Sequence, residues 1–347
     1  MEMSVDIGRQ SLLTLMDGEP LGESRAEALM SAVMEGQVPT AQLAGILVAL
    51  HFLGEREEEL TGLARAMRNR VYKEMSPFIP ESYRDLEDKV VDTCGTGGDG
   101  VGTFNISTAT ALVVAAVGVP VAKHGNRAVS GKAGSADVLE ALGLTIDRSP
   151  AHAFESLFKT GFGFFFAPQC HRAMAHAAPA RKELAVPTAF NLLGPLTNPA
   201  GARKQLMGVN KPERVELMAR VLRGLGVKRA YVVHGHSGLD ELTVTGPSQV
   251  AFLNEGHIEL SIIDPQDYGF SYCRIEELAG GDKEENANII EKVFQGQRGP
   301  QRDIVLLNTA ATLYVADVVE DLHEGIALAQ DTIDRGKATE LLDKLRD

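Results

Sequence analysis

The first 70 residues carry apolar positions that recur with the period of an α-helix. Stripes with i, i+3, i+4, i+7 spacing begin at Ala26, Leu43 and Leu60. A stretch with two prolines, residues 76–87, follows them and is typical of a linker. The pattern predicts a small helical amino-terminal domain over residues 1–75.

Beyond the linker, the pattern changes to short β runs that alternate with helical segments. Five such runs cover residues 89–92, 119–124, 163–167, 205–209 and 230–234. This alternation predicts an α/β domain over residues 85–347, with a mostly parallel sheet covered by helices. A hairpin is expected at residues 250–262, around Glu255 and Gly256, and amphipathic helices in the last 45 or so residues. Ligands of such sheets bind at the carboxyl ends of the strands.

Composition and charge narrow the class of protein. The chain has 347 residues, of which 44% are hydrophobic and 23% charged, as in an ordered protein. It has no apolar run of the roughly 20 residues that span a bilayer and no secretion signal, so we expect a cytoplasmic protein with no membrane partner. Its three cysteines are too few and too scattered for a disulfide framework. A net charge of -13 disfavours nucleic-acid binding, so any anionic ligand must meet a local basic pocket.

A glycine-rich loop follows the first β run. The segment DTCGTGGDGVGTFNIST, residues 92–108, has five glycines between residues 95 and 102 and then polar side chains at the start of a helix, among them Asn105, Ser107 and Thr108. Glycines let the backbone approach an anion, and the helix start favours phosphate. The spacing matches neither the dinucleotide-binding nor the P-loop motif. The alternative is a tight turn that binds nothing.

A second loop of the same kind follows the next β run. The segment KHGNRAVSGKAGSAD, residues 123–137, gathers Lys123, Arg127 and Lys132, and Ser135 is a natural helix N-cap. Alone, it would also suit a solvated basic loop. Two glycine-rich anion loops on neighbouring strands favour a ligand with two phosphate groups.

Two further segments carry charged side chains that suit ligands. Asp240 and Glu241 lie in a glycine-bearing loop after the fifth β run, and hard oxygen ligands suit magnesium bound to pyrophosphate. The alternatives are a surface acidic pair or a zinc site on His234 and His236, for which no third ligand has suitable spacing. In residues 170–200, Arg181 could pair with a carboxylate and precedes a turn-rich stretch, although it would also suit an ordinary helix end.

Taken together, these motifs resemble the anthranilate phosphoribosyltransferase family. GTGGDG, N-x-ST, KHGNRAVSG followed by GSAD, FNLLGPLTNP and GLDE occur in that family's order and spacing. The segments PTAQLAGILVAL and RDIVLLNTAATLYVA extend the resemblance over essentially the whole chain. The chain departs from the family's usual residues at five positions on the acceptor side or near it, namely Ala133, Arg172, Ala185, Val186 and Pro187.

The resemblance implies a fold of the nucleoside-phosphorylase and phosphoribosyltransferase type. It implies a homodimer through the helical domain, which part of residues 180–205 would complete. The residues implied to bind phosphoribosyl pyrophosphate are Gly95, Gly98, Asp99, Thr103, Asn105, Ile106, Ser107, Thr108, Lys123, His124, Gly125, Asn126, Arg127, Ala128, Val129, Ser130, Gly131 and Ser135. Those implied to bind anthranilate are Gly95, Asn126, His171, Arg181 and Pro195, and those implied to bind Mg²⁺ are Ser107, Asp240 and Glu241.

The activity that the resemblance implies is transfer of phosphoribose to anthranilate in tryptophan biosynthesis. Two other functions share parts of this pattern: a pyrimidine-nucleoside phosphorylase, and a nucleic-acid-binding paralogue without enzymatic activity. The phosphorylase would use phosphate and a nucleobase, and the paralogue would need a basic groove that the net charge disfavours.

Overall fold

The amino-terminal part of the protein is a bundle of helices. A computed structural model describes residues 6–128, 133–146 and 149–346. Its helices before the linker are α1 (Ile7–Met16), α2 (Glu23–Met34), α3 (Thr40–Leu53) and α4 (Glu57–Met75). Apolar side chains join α2 to α4, and Gly62 lets the two backbones meet, because a Cβ there would collide with the backbone of Glu23. The helical periodicity in the sequence therefore reports a real packed face.

The rest of the chain is built around one mixed sheet. Its strands in the described residues are β1 (Val91–Gly95), β2 (Val121–Gly125), β3 (Phe162–Phe166), β4 (Lys204–Gly208), β5 (Arg229–Gly235), β6 (Ser248–Asn254) and β7 (His257–Ile263). Their order is β3-β2-β1-β4-β5-β6-β7, with β1 to β5 parallel and β6 and β7 antiparallel. The expected mostly parallel sheet is confirmed.

The expected hairpin is confirmed as well. Residues of β6 and β7 pair from Ser248 with Ile263 to Asn254 with His257. The two residues between the strands, Glu255 (φ 44°) and Gly256 (φ 86°), have positive φ, as a two-residue hairpin turn requires. The pairing therefore starts from a turn that the sequence encodes locally.

Helices cover both faces of the sheet. The helices in the described residues after the linker are α5 (Ile106–Val117), α6 (Ser135–Ala141), α7 (Pro150–Thr160), α8 (Ala167–Cys170), α9 (Ala178–Leu184), α10 (Ala189–Leu193), α11 (Arg214–Gly224), α12 (Lys283–Phe294), α13 (Pro300–Val315), α14 (Leu322–Asp334) and α15 (Lys337–Arg346). On one face, α5 and α13 share a core with β1, β2, β4 and β5. The other face packs on α11, which contacts α4 of the bundle.

The carboxyl-terminal helices differ from the expectation in one respect. α14 and α15 are amphipathic, but α13 is buried on nearly all sides. It lies between α5, α14 and the strands β4 and β5, so it has almost no face left for water. No helix in the described parts of the chain is long and apolar enough to cross a membrane.

Candidate active site

The glycine-rich loop begins where β1 ends, in the middle of the sheet. Gly97, Gly98, Gly100 and Gly102 all have φ between 64° and 75°, a conformation that favours glycine over residues with a side chain. The Gly97 N–H donates to Asp240 Oδ2 at 2.7 Å. A side chain on Gly95 would collide with the same carboxylate. The glycines therefore serve both the path of the loop and its close approach to the acidic pair.

Residues outside the predicted motifs hold this loop in place. Asn210 Nδ2 donates to the carbonyls of Gly97 (3.0 Å) and Gly98 (3.3 Å), and the Gly280 N–H donates to the carbonyl of Gly102 (2.9 Å). Asn210 was missed in the sequence, although a polar residue just beyond the end of β4 is a signal of the same kind as those used for the other strands. Gly280 comes from a distant segment and carries no local signal.

Asn105 at the start of α5 hydrogen-bonds within the protein. Asn105 is the N-cap residue, and its carboxamide donates to the carbonyl of Ala133 (3.2 Å) and accepts from Asn286 Nδ2 (2.9 Å). It thus ties the glycine loop to the second loop. The side chains of Ile106 and Thr108 are buried.

A buried charged pair lies beneath the crevice. Lys123, only 2% exposed, donates from Nζ to the carbonyl of Thr93 (2.8 Å) and to Ser107 Oγ (3.4 Å). Burial raises the pKa of Asp92 on β1 to about 6, and the positive charge of Lys123 opposes that rise. Lys123 therefore lies beneath the crevice, where its positive charge and its hydrogen bond to Ser107 are close to the candidate site. A charged residue within an apolar β run is a sequence signal for such a pair, and both Asp92 and Lys123 are of this kind. Lys123 was among the predicted site residues, and Asp92 was missed.

Three carboxylates meet at the mouth of the crevice. Burial raises the pKa of Asp240 to about 7, and the nearby charge of Asp99 adds to the rise. Burial and the charge of Asp240 also raise the pKa of Glu241, whose carboxylate accepts a hydrogen bond from the backbone of Ser107. Carboxylates held together in this way are stabilised by a cation, so Asp240, Glu241 and Ser107 fit a Mg²⁺ ion.

No group of three or more His, Cys, Asp or Glu side chains among the described residues is arranged to hold a metal ion by itself. Mg²⁺ in proteins is commonly held by one or two carboxylates, with substrate phosphates and water completing the octahedron.

The second loop is anchored by acidic side chains of α6. Arg127 forms a two-pronged ion pair with Glu140 (2.5 and 2.7 Å) and contacts Asp137 (3.2 Å). Asp137 also accepts from the backbone N–H groups of Ala128 and Gly134, both at 2.9 Å. These contacts fix both ends of the loop, whereas the predicted Val129, Ser130 and Gly131 lie outside the described residues.

The expected N-cap of α6 was wrong by one residue. Gly134 is the cap, and Ser135 is the first residue of the helix. The Ser135 hydroxyl donates instead to the carbonyl of Asn126 at 3.4 Å. It also lies so close to Gly125 that a Cβ there would collide with it. Ser135 thus packs against the end of β2, beside the second loop.

His124 and His171 form a pair on the β3 side of the crevice. Their Nε2 atoms are 3.1 Å apart. Burial lowers the pKa of His171 to about 4, and burial together with the neighbouring His171 lowers the pKa of His124. Each ring also has a hydrogen bond to the backbone, His124 at Gly194 and His171 at Thr197. The pair therefore connects β2 to the segment that contains the buried Pro195.

Arg181 lies on α9, which packs against α3. Its guanidinium carbon is 5.0 Å from the centre of the Phe190 ring, and the residue is exposed. The helix ends at Ala185 with φ 51° and ψ 31°, a left-handed conformation that costs a residue with a Cβ about 1–2 kcal/mol. Glycine would avoid that cost.

These groups line one edge of the sheet. The glycine loop, the acidic pair and Lys123 come together at the carboxyl ends of β1, β2 and β5, where ligands of parallel sheets bind. Through His124, the same edge continues to His171 and Pro195.

Comparison with known proteins agrees with this architecture. Residues 9–71 match the helical bundle domain of the glycosyl transferase family, and residues 87–339 match its a/b domain. An anthranilate phosphoribosyltransferase from Acetivibrio thermocellus is 48% identical over 97% of this chain and 95% of its own length.

Solved structures agree as well. The Thermus thermophilus anthranilate phosphoribosyltransferase is 42% identical, with a TM-score of 0.87 over 99% of this chain and 98% of its own. The Saccharomyces cerevisiae enzyme, solved in complex with phosphoribosyl pyrophosphate and Mg, is 25% identical, with a TM-score of 0.86 over 100% of this chain and 99% of its own. The chain therefore belongs to the anthranilate phosphoribosyltransferase family.

Proposed function

We propose that this protein transfers the 5-phosphoribosyl group of phosphoribosyl pyrophosphate to the amino group of anthranilate, in tryptophan biosynthesis. The bond from ribose C1 to the pyrophosphate oxygen breaks, a bond from C1 to nitrogen forms, and pyrophosphate leaves. The observation that carries the proposal is the crevice in which a loop with four left-handed glycines is hydrogen-bonded, through Gly97, to Asp240 of the acidic pair. Family membership supplies the substrates.

The donor is assigned to the two glycine-rich loops. Backbone N–H groups of the loop at Gly95 to Thr103 and the start of α5 would meet the phosphates, as is common at helix starts. Lys123 beneath them would supply positive charge, and the second loop, residues 124–131, would supply further hydrogen-bond donors beside Ser135. Contacts within the protein hold these polar groups in place, which limits the reorganisation that the reaction requires.

Mg²⁺ is the cofactor that fits the acidic pair. Asp240, Glu241 and Ser107 would hold it, and when bound it supplies positive charge that stabilises the departing pyrophosphate. Without it, the carboxylates of Asp99, Asp240 and Glu241 would repel an anionic donor. The chain itself therefore needs a cation before it can accept the substrate.

The acceptor is assigned to the side of His171, Arg181 and Pro195. The guanidinium of Arg181 presents a planar fork that matches the carboxylate of anthranilate. Asn126 and Gly95 would line the approach to the ribose. A side-chain base is not required, because the aromatic amine attacks while neutral and loses its proton readily afterwards, so positioning and electrostatics carry the catalysis.

A homodimer through the helical domain is also proposed. Exposed apolar side chains gather on α1 and α3, with Phe52 87% and Met16 70% exposed, and they border an apolar groove that reaches Leu184 on α9. Large exposed apolar patches of this kind mark interfaces. The same proposal divides the chain into a helical domain, residues 1–75 completed by part of 180–205, and an α/β domain, residues 85–347. It also places the protein in the cytoplasm. Packing of α9 on α3 and of α10 on α3 and α4 supports that division.

The function is tested by incubating the protein with phosphoribosyl pyrophosphate, Mg²⁺ and anthranilate and following the loss of anthranilate fluorescence. We expect loss that needs all three components and that the double variant Asp240→Asn, Glu241→Gln abolishes. A parallel reaction with phosphate and a pyrimidine nucleoside tests the phosphorylase alternative. Turnover there, with none on anthranilate, would refute the proposal.

A further inference from the structure

The backbone of residues 194–197, between α10 and β4, is held by side chains from several elements. Gln205 Nε2 donates to the carbonyl of Pro195 at 2.6 Å, and Arg68 Nε donates to the carbonyl of Leu196 at 2.5 Å. The flanking Gly194 and Thr197 hydrogen-bond to the histidine pair, as described above. Each of four consecutive residues is thus fixed by a group outside the turn. We call residues 194–197 the anchored turn.

Arg68 reaches this turn from the helical bundle. It lies on α4, and besides Leu196 it donates from Nη1 to the carbonyl of Leu225, just beyond α11, at 3.0 Å. Burial lowers the pKa of Arg68 to about 10. Within the described part of the chain, its guanidinium makes no ion pair and serves backbone carbonyls instead. A partly buried cation without an acidic partner is unfavourable unless its hydrogen bonds are well made, so the geometry of these carbonyls is tightly constrained.

Gln205 reaches the same turn from the sheet. Its side chain is buried on β4, and its Nε2 is also 2.9 Å from the Cys94 sulfur. Cys94 immediately precedes Gly95, where the glycine loop begins. The buried amide of Gln205 therefore contacts both β1, which leads into the glycine-rich loop, and the turn that contains Pro195.

We propose that Arg68 and Gln205 are positioning residues, which hold the anchored turn so that Pro195 forms a fixed wall of the acceptor site. The proposal rests on the proposed function and deepens it. Neither residue is among those assigned to a substrate. They act through the backbone of the turn, Arg68 from the bundle and Gln205 from the sheet, so the acceptor wall is set where the two parts of the protein meet.

The test replaces each residue with one of similar size that cannot donate, Arg68→Met and Gln205→Leu. A small displacement of a site wall can change rates by up to about 100-fold, so we expect the KM for anthranilate to rise roughly tenfold. The Kd for phosphoribosyl pyrophosphate with Mg²⁺, measured by calorimetry, should change less than about twofold, because the glycine loop keeps its contacts with Asn210 and Gly280.

Arg65→Met is the matched control. Arg65 lies one turn earlier on α4 and donates to the neighbouring carbonyl of Gly224, but it does not contact the anchored turn. Its loss should leave the KM for anthranilate unchanged. Arg68→Lys keeps a charge and a donor without the fork, so an intermediate KM is expected. It also supplies the measurement if Arg68→Met does not fold.

Hydrogen exchange gives a readout that is independent of activity. The Thr197 N–H donates to the carbonyl of Gly194, so its exchange should quicken in Arg68→Met and Gln205→Leu but not in Arg65→Met. Unchanged exchange and unchanged KM in both variants, or equal losses for both substrates, would overturn the proposal. A wild-type protein that consumes no anthranilate would refute the proposed function, while exchange would still decide whether these residues hold the turn.

Discussion

Asp240 is proposed to bind Mg²⁺, and its buried position costs stability. Asp240 has a pKa of about 7, above the ordinary value for an aspartate, because it is buried beside Asp99. The folded protein therefore holds a proton there more tightly than the unfolded chain does. The associated stability is present at low pH and is lost as the pH rises from about 4 to about 7.

From this we predict that Asp240→Asn makes the Mg²⁺-free protein more stable at pH 8, by on the order of 1–3 kcal/mol, while it abolishes turnover. The gain should shrink towards pH 4, where the aspartate is protonated. Chemical unfolding at pH 4, 6 and 8 measures it, and exposed Asp267→Asn is the control. An equal effect at all three pH values would contradict the assignment.

Gly98 offers a second prediction. Its φ of 71° disfavours any side chain, while the space around it is open apart from Asn210 at 3.5 Å. Gly98→Ala should thus introduce about 1–2 kcal/mol of strain in the glycine-rich loop after β1 and weaken phosphoribosyl pyrophosphate binding roughly tenfold. Gly256→Ala, in the hairpin turn with φ 86°, carries the same strain far from the site. Calorimetry should find weaker binding in the first variant and wild-type binding in the second.

A variant of Arg181 tests recognition of anthranilate separately from phosphoribosyl transfer in general. Removing a charge-assisted hydrogen bond costs about 1.5–3 kcal/mol, so Arg181→Ala should raise the KM for anthranilate about 10- to 150-fold and leave that of the donor nearly unchanged. Lys182→Ala, which alters the exposed neighbour, is the control. If steady-state kinetics show the same loss for both substrates, Arg181 does not bind the carboxylate.

At the scale of elements, structure that depends on neighbouring residues was predicted correctly, whereas structure that depends on contacts between distant parts of the chain was not. The β6–β7 hairpin follows from alternating side chains and a two-residue turn, both readable within the neighbouring residues 248–263. The burial of α13 could not be read in this way, because it depends on α5 and α14 meeting it from other parts of the chain. The same holds for the site: its loops were visible as motifs, but Gly280, Arg68 and Gln205 act through contacts that only the fold creates.

The bundle helices carry the prediction on assembly. Phe52 on α3 is the most exposed large apolar side chain of the proposed interface, at 87%. Phe52→Glu would place a charge in that interface and should convert a dimer into a monomer, since an unpaired buried charge is strongly unfavourable. Light scattering after gel filtration measures the mass. Tyr72→Glu, exposed on α4, should leave it unchanged, and a monomeric wild type would remove the proposed dimer.

At the scale of the whole molecule, the last helix completes a core that begins far earlier in the chain. α15 packs on α5 and α7, and its Leu341 and Leu342 are buried. Removing residues 337–347 should destabilise the protein by about 3–6 kcal/mol, from the two leucines alone. Thermal unfolding measures the loss, and removal of residues 344–347, which spares both leucines, should have a much smaller effect. Equal unfolding temperatures for the two truncations would contradict this account.

The dependence of α5 on α13 and α15 also bears on how the protein is made. The glycine-rich loop leads directly into α5, whose apolar side chains pack partly on the strands but are fully covered only after α13, which begins at Pro300, has been translated. From the end of α5 at Val117 to the end of α13 at Val315 the ribosome adds about 200 residues, which at about 5–20 residues per second takes roughly 10–40 s. During that interval, the nascent chain exposes part of an apolar helix and an incomplete crevice, and exposed apolar surface of this kind is what chaperones bind.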